Sequence, residues 1–296
     1  ALILQSVVFD SLGIPFLVTV CSVIFLIWVY TFRAGIKTIV WTDTIQTLIM
    51  ISTLVLILVQ VSKQLDFSFS ELFSQLIHSN KTQIFVFDDW HTKQNFFKQF
   101  LSGIFIAIVM TGLDQDMMQK NLSCRNLKDA QKNMYWYGIS FVPVNLLFLT
   151  LGAMLLMLAT QNNLALPTMS DEILPLFATS YLGKSVLVLF IVGIIAAAFS
   201  SADSALTALT TSFSVDILNV QKKDQISAKR IRMIIHICIS ILFAIIIVLF
   251  KAINSKSVID AIYVVASYTY GPLLGLFSFG LFTRMKTNDK MIPYVA

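Results

Sequence analysis

Residues 184–215 read KSVLVLFIVGIIAAAFSSADSALTALTTSFSV. After its first two residues the opening half is almost wholly apolar. The closing half mixes Ala, Leu, Ser and Thr with one carboxylate, Asp203. A helix over this stretch is about 48 Å long at 1.5 Å per residue, more than the ~30 Å of hydrocarbon in a bilayer, so it is expected to tilt or to run past the membrane. Ser200, Ser204, Thr207 and Thr211 recur at spacings of four and three and share one face, with Asp203, Thr210 and Ser214 beside or on it. Such a stripe supplies the oxygens that a small hard cation takes up after shedding water. The same small residues also serve close helix packing, and the hydroxyls alone leave the two readings level. A charged side chain at the bilayer centre costs at least ~2.5–3.5 kcal/mol, so Asp203 calls for a partner and tips the reading toward a cation.

Outward from this stretch, apolar blocks near 14–32, 38–61, 97–113, 134–159, 231–250 and 257–283 join 184–215, the 97–113 block being the shortest. The expectation is an all-α membrane protein of about seven transmembrane helices, a single transmembrane domain over residues 1–296. Composition agrees: 57% of residues are apolar and 12% charged, where a soluble domain carries about 25% charged residues. The loops at 33–37, 120–132, 222–232 and 284–290 hold fourteen lysines and arginines, against seven at 62–98, 184 and 251–256. The first set is therefore expected in the cytoplasm, which makes the chain a multi-pass protein of the cell (plasma or inner) membrane. The long 62–96 connection, with Asp88, Asp89 and Trp90, falls outside.

The net charge of +5 sits in short loops, where it sets topology; no nucleic acid is expected as partner. Cys21, Cys124 and Cys238 form no disulfide framework, and His78, His91 and His236 form no ligand motif. No nucleophile–base or metal-ligand pairing appears, so an enzyme is not expected. No signal peptide is visible, the chain opens on apolar sequence, and it closes on Met291-Ile292-Pro293-Tyr294, so further helices are expected at both ends.

A second carboxylate, Asp43, lies in Trp41-Thr42-Asp43-Thr44-Ile45-Gln46, one to two turns inside the cytoplasmic end of its block. Counted from the span ends, Asp43 and Asp203 both fall in the inner half of the bilayer, where two carboxylates can face one site. Other polar residues read more simply. Asp260 fits a solvated helix end, and Asp114 and Asp116 a cytoplasmic cap or gate contact. Trp41, Trp90, Trp136 and Tyr137 fit an interfacial belt, and His236 fits a packed or interfacial histidine. Tyr263, Tyr268 and Tyr270 precede Gly271-Pro272, a pair that within a span marks a kink or hinge.

The stretch Arg33-Ala34-Gly35-Ile36-Lys37-Thr38-Ile39-Val40-Trp41-Thr42-Asp43 resembles a pattern of the sodium:solute symporters, Gly-Gly-x-x-x-Val-x-Trp-Thr-Asp. Leu113-Asp114-Gln115-Asp116-Met117-Met118-Gln119-Lys120, then Cys124-Arg125 and Ala130-Gln131-Lys132, is similar to that family's loop after the sixth core helix. Ser200-Ser201 with Ser212-Phe213-Ser214-Val215-Asp216-Ile217 resembles its eighth core helix; Tyr270-Gly271-Pro272 and Leu281-Phe282 resemble its tenth. These matches come in family order over nearly the whole chain.

The resemblance implies a LeuT-type inverted-repeat transporter core, incomplete here, with the seven spans as core helices four to ten. It also implies a sodium site from the Ala197 carbonyl and the Ser200 and Ser201 hydroxyls, completed by a first helix that this sequence does not hold. A second cation site would use Asp43, Asp203 and Ser204, where an aspartate in place of the family's hydroxyl at 203 strengthens cation binding or holds a proton. Positions that contact sugar in some relatives correspond to Met110, Phe141 and Tyr263, and none keeps the sugar-contacting residue, which argues against a simple hexose. The expected function is sodium-coupled symport of a small organic solute by alternating access, with Na+ as coupling ion and no organic cofactor. Its partners would be the solute, sodium and the lipid bilayer; the sequence gives no oligomeric state. Two alternatives stay open: proton-coupled transport on the same fold, and a non-transporting channel or sensor module.

Overall fold

The computed structural model describes residues 2–31, 36–66, 71, 74, 85–87, 89–92, 94–253 and 258–285. Arg33, Ala34, Gly35, His78, Lys81, Asp88, Lys93, Lys256, Lys286, Lys290 and the Met291-Ile292-Pro293-Tyr294 ending lie outside these, as do the side chains of residues 36–38. Among the described residues there is no strand. The main helices are α1 (Phe16–Thr31), α2 (Ile36–Leu65), α3 (Phe96–Gly112), α4 (Gln115–Leu122) and α5 (Leu127–Gln161). They continue with α6 (Ile173–Ser180), α7 (Lys184–Ser212), α8 (Gln225–Ile253) and α9 (Val258–Phe282).

Five segments are long and apolar enough to cross a membrane: Ile39–Leu65, Leu127–Gln161, Lys184–Ile217, Gln225–Ile253 and Asp260–Phe282. The number reaches seven when two bent pairs, Leu2–Leu12 with α1 and α3 with α4, each count as one span. The reason is length, since the sixteen residues of α1 rise only about 24 Å. The chain is an all-α membrane protein. Its first bend, of 118°, is held by a polar knot. The Gln5 amide donates to Asp10 Oδ1 at 2.5 Å and to the Ile14 carbonyl at 2.7 Å, while the Thr19 hydroxyl donates to Gln5 Oε1.

The chain forms two compact units, Ala1–His78 with Gln119–Ile253 and Ser79–Met118 with Asn254–Ala296. In the first unit, α7 lies against α2 along much of its length. Leu54, Ile57, Val61 and Leu65 recur at three- and four-residue spacing on α2 and pack with Leu151, Leu155 and Leu158 of α5, Phe177 of α6, and Val186 and Phe190 of α7. Where the core ends, Gly193 lets the backbones close: a Cβ added there would stand 3.0 Å from Thr53 Cγ2. Asn126 caps α5, its side chain accepting from the Asp129 amide at 2.9 Å, so this helix begins at Leu127 rather than near residue 134. Asp224, fully exposed ahead of α8, accepts from the Ser227 amide at 3.0 Å, which holds its carboxyl below the usual range.

In the second unit α3 packs beside α9. Asn95 starts α3 by accepting from the Phe97 amide at 3.1 Å, and Phe85, Phe87, Phe96, Phe97 and Phe100 cluster around that end. Asp114 accepts from the Met117 amide at 2.9 Å, capping the first turn after α3. Asp260 is exposed in the first turn of α9, and that helix continues through Gly271-Pro272.

Candidate cation site

α2 and α7 run antiparallel, since Thr53 meets Gly193 while Asp43, ten residues earlier, meets Ser204, eleven residues later. Both intervals correspond to a rise of about 15–17 Å, so the two helices keep register from the apolar core down to the carboxylate. The hydroxyl stripe of α7 therefore arrives at Asp43. Ser200 donates to Asp43 Oδ1 at 2.8 Å and Ser204 donates to Oδ2 at 3.1 Å. With their hydrogens turned to the carboxylate, both hydroxyls keep lone pairs for a positive charge.

A positive charge is present. The Lys120 ammonium lies 2.8 Å from Asp43 Oδ2 and donates to Ser204 Oγ at 3.0 Å. The two side chains are 25% and 15% exposed, so the pair is shielded without being sealed. Lys120 reaches this position because α4 docks on α7: the neighbouring Gln119 amide donates to the Ala208 carbonyl at 3.3 Å, one turn past Ser204.

Asp203 has different company. It is fully buried, its Oδ2 accepts from the Tyr30 hydroxyl, and its Oδ1 has no hydrogen-bond partner. The Tyr30 ring stacks on Phe199 with centroids 6.3 Å apart, which holds the hydroxyl over α7. Nearby on α7, the buried Thr207 hydroxyl is also unpartnered, as is Gln46 Oε1 on α2. The side chains of Ala197 and Ser200 are half-buried and that of Ser201 is exposed. Further along α7, His236 of α8 bridges Thr31 and Thr210, with 3.0 Å to each hydroxyl.

Of the residues singled out in the sequence, the structure thus brings together Asp43, Ser200 and Ser204, while Asp203 turns to Tyr30. Ser200, expected beside Ala197 and Ser201, spends its hydroxyl hydrogen on Asp43. Met110 on α3, Phe141 on α5 and Tyr263 on α9 are all exposed. The sequence alone does not mark Lys120 and Tyr30 as site residues. A lysine in a basic loop reads as a topology signal, and a tyrosine near a span end reads as belt. The clue in the sequence is the place of Lys120 inside the resembling stretch and of Tyr30 at the C-terminal end of α1. Among the described residues, no three His, Cys, Asp or Glu side chains gather as a metal centre would need. The oxygen-rich, carboxylate-centred group suits a hard monovalent cation better than a transition metal.

A family model described as "Sodium:solute symporter family" matches residues 5–291. The chain is 26% identical to "Sodium/sialic acid symporter NanT" of Aliivibrio fischeri (strain ATCC 700601 / ES114) over 97% of its own length and 57% of that protein's. It is 25% identical to "Sodium/sialic acid symporter SiaT" of Proteus mirabilis (strain HI4320) over 92% of its length and 56% of the relative's. A segment of 108 residues is 29% identical to human "Sodium-coupled monocarboxylate transporter 2", covering 36% of this chain and 17% of that one. The chain spans a little over half the length of the two symporters. No solved structure matches it.

Proposed function

Because the chain belongs to the sodium:solute symporter family, we propose that it is part of a membrane transporter that couples sodium entry to uptake of a small organic solute. The observation that carries this reading is the meeting of Asp43 with Ser200 and Ser204 across two antiparallel spans. A carboxylate and two hydroxyls, set inside an apolar bundle, form a place for a positive charge. In the proposed scheme one sodium is held by the Ala197 carbonyl and the Ser200 and Ser201 hydroxyls. Ser201 is exposed on α7, open to further oxygens. Asp43, Asp203 and Ser204 form the second cation group.

Sodium bound on α7 favours the outward-open state, and solute then binds near the midplane of a LeuT-type core. Met110, Phe141 and Tyr263 are each proposed separately as a residue that contacts solute. Sialic acid and monocarboxylates, named for the relatives, both carry a carboxylate, so organic acids are the first solutes to test. In the full-length protein, uptake should collapse when choline replaces sodium, and a sialic acid or a short monocarboxylate should compete better than a hexose. Uptake indifferent to sodium overturns the coupling.

Proton coupling on the same fold is the second reading. It is favoured by Asp203, whose buried, unpartnered Oδ1 is the natural seat for a proton. It predicts uptake that follows external pH at fixed sodium.

A further inference from the structure

The second cation group poses a question of charge. Asp43 lies inside α2 with hydroxyl donors on both oxygens, and its negative charge still needs a positive one close by. The position where a free cation would touch both Asp43 Oδ2 and Ser204 Oγ is taken by the Lys120 nitrogen, 2.8 Å from the first and 3.0 Å from the second. Ser204 is therefore used from both sides, donating to the carboxylate and accepting from the ammonium. This is how a hydroxyl behaves as a cation ligand, with its hydrogen turned away and its lone pair turned in. The ammonium is not a stray surface charge. Gln119, the residue before it, is tied to the backbone of α7 at Ala208, which fixes the helix that carries it.

Resting on the reading of the chain as a sodium-coupled symporter, we propose that the Lys120 ammonium is the resident cation of the Asp43–Ser204 site. The positive charge that Asp43 requires is then carried by the chain itself on α4, and this site takes no sodium from solution while Lys120 is seated. Lys120 sets the number of sodium ions bound, and the site at Ala197, Ser200 and Ser201 is left as the sodium-binding one. An ammonium and a sodium ion have equal charge, so removing the lysine frees a site already shaped for a monovalent cation.

The test is the number of radioactive sodium ions bound per molecule of purified full-length protein, read by scintillation proximity. Lys120→Gln is expected to bind one sodium more than the parent, and Lys120→Gln with Asp43→Asn to return to the parent count. Lys120→Arg, which keeps the charge, is expected to match the parent. In uptake assays the upper bound on the Hill coefficient for sodium should rise by one in Lys120→Gln, because that coefficient is bounded by the number of sites.

To separate charge from folding within one preparation, Lys120→Cys is made with Cys21, Cys124 and Cys238 replaced by serine. It should bind the extra sodium until an aminoethyl group is attached to the new thiol through a disulfide, and lose it afterwards. An unchanged count in Lys120→Gln overturns the proposal. So does folding that survives only with arginine at 120, since that marks a structural ion pair. A parent that binds no sodium while Lys120→Gln binds one through Asp43 would sink the sodium-coupled reading and leave this proposal standing.

Discussion

Ser200 has one hydroxyl hydrogen, and Asp43 receives it. Replacing Ser200 with alanine removes a hydrogen bond to a charged group and one proposed sodium oxygen. The half-saturating sodium concentration for uptake should rise about tenfold, the equivalent of about 1.4 kcal/mol at the low end for such bonds. Ser201→Ala should act in the same direction, and unchanged sodium dependence in both would count against the assignment. Tyr30→Phe keeps the stack on Phe199 but strips the donor from a fully buried carboxylate. It is expected to cost about 1–3 kcal/mol of stability, read as a lower melting temperature in detergent. Asp43, Ser200 and Ser204 were legible because a polar side chain among apolar neighbours announces itself. Tyr30 and Lys120 were not, since their partners lie 173 and 84 residues away and no local pattern links them.

At the scale of helices, the contact between Gly193 and Thr53 sets the distance between α2 and α7. A valine at 193 would drive its side chain into Thr53 Cγ2, already 3.0 Å from where a Cβ would stand. Overpacking of this kind costs about 1–3 kcal/mol, and Gly193→Val should lower the thermal midpoint accordingly. Thr53→Ala in the same protein should recover part of the loss, whereas a Gly193→Val protein as stable as the parent would show that the helices do not meet there. The helical class could be read from apolar blocks alone, because 1.5 Å per residue against the bilayer leaves little choice. The breaks were harder. The bend after Leu12 rests on the side chain of Gln5, and α4 stands apart from α3 because Asp114 caps it. Such stops depend on single polar atoms, which an apolar count does not see.

For the molecule as a whole, the distribution of lysine and arginine predicts the turn between α7 and α8 inside the cell and the turn after α5 outside. In a background with Cys21, Cys124 and Cys238 replaced by serine, Lys223→Cys should react with a membrane-impermeant maleimide only after permeabilisation. Asn162→Cys should react on intact cells, and the reverse pattern would invert the topology. An inverted repeat is a relation between two halves of a longer chain. A sequence spanning 57% of a relative carries that relation by resemblance alone, whereas Ser200, Ser204, Thr207 and Thr211 all lie within α7 and are readable on their own.

The carboxylate at position 43 also has a history in time. A ribosome adding about 5–20 residues per second reaches Lys120 roughly 4–15 s after Asp43, and reaches Ser200, 157 residues downstream, roughly 8–30 s after it. During membrane insertion the ammonium is therefore made before the hydroxyls that share it. A nascent chain lacking Lys120 would hold the Asp43 carboxylate without that cation when Ser200 and Ser204 are made.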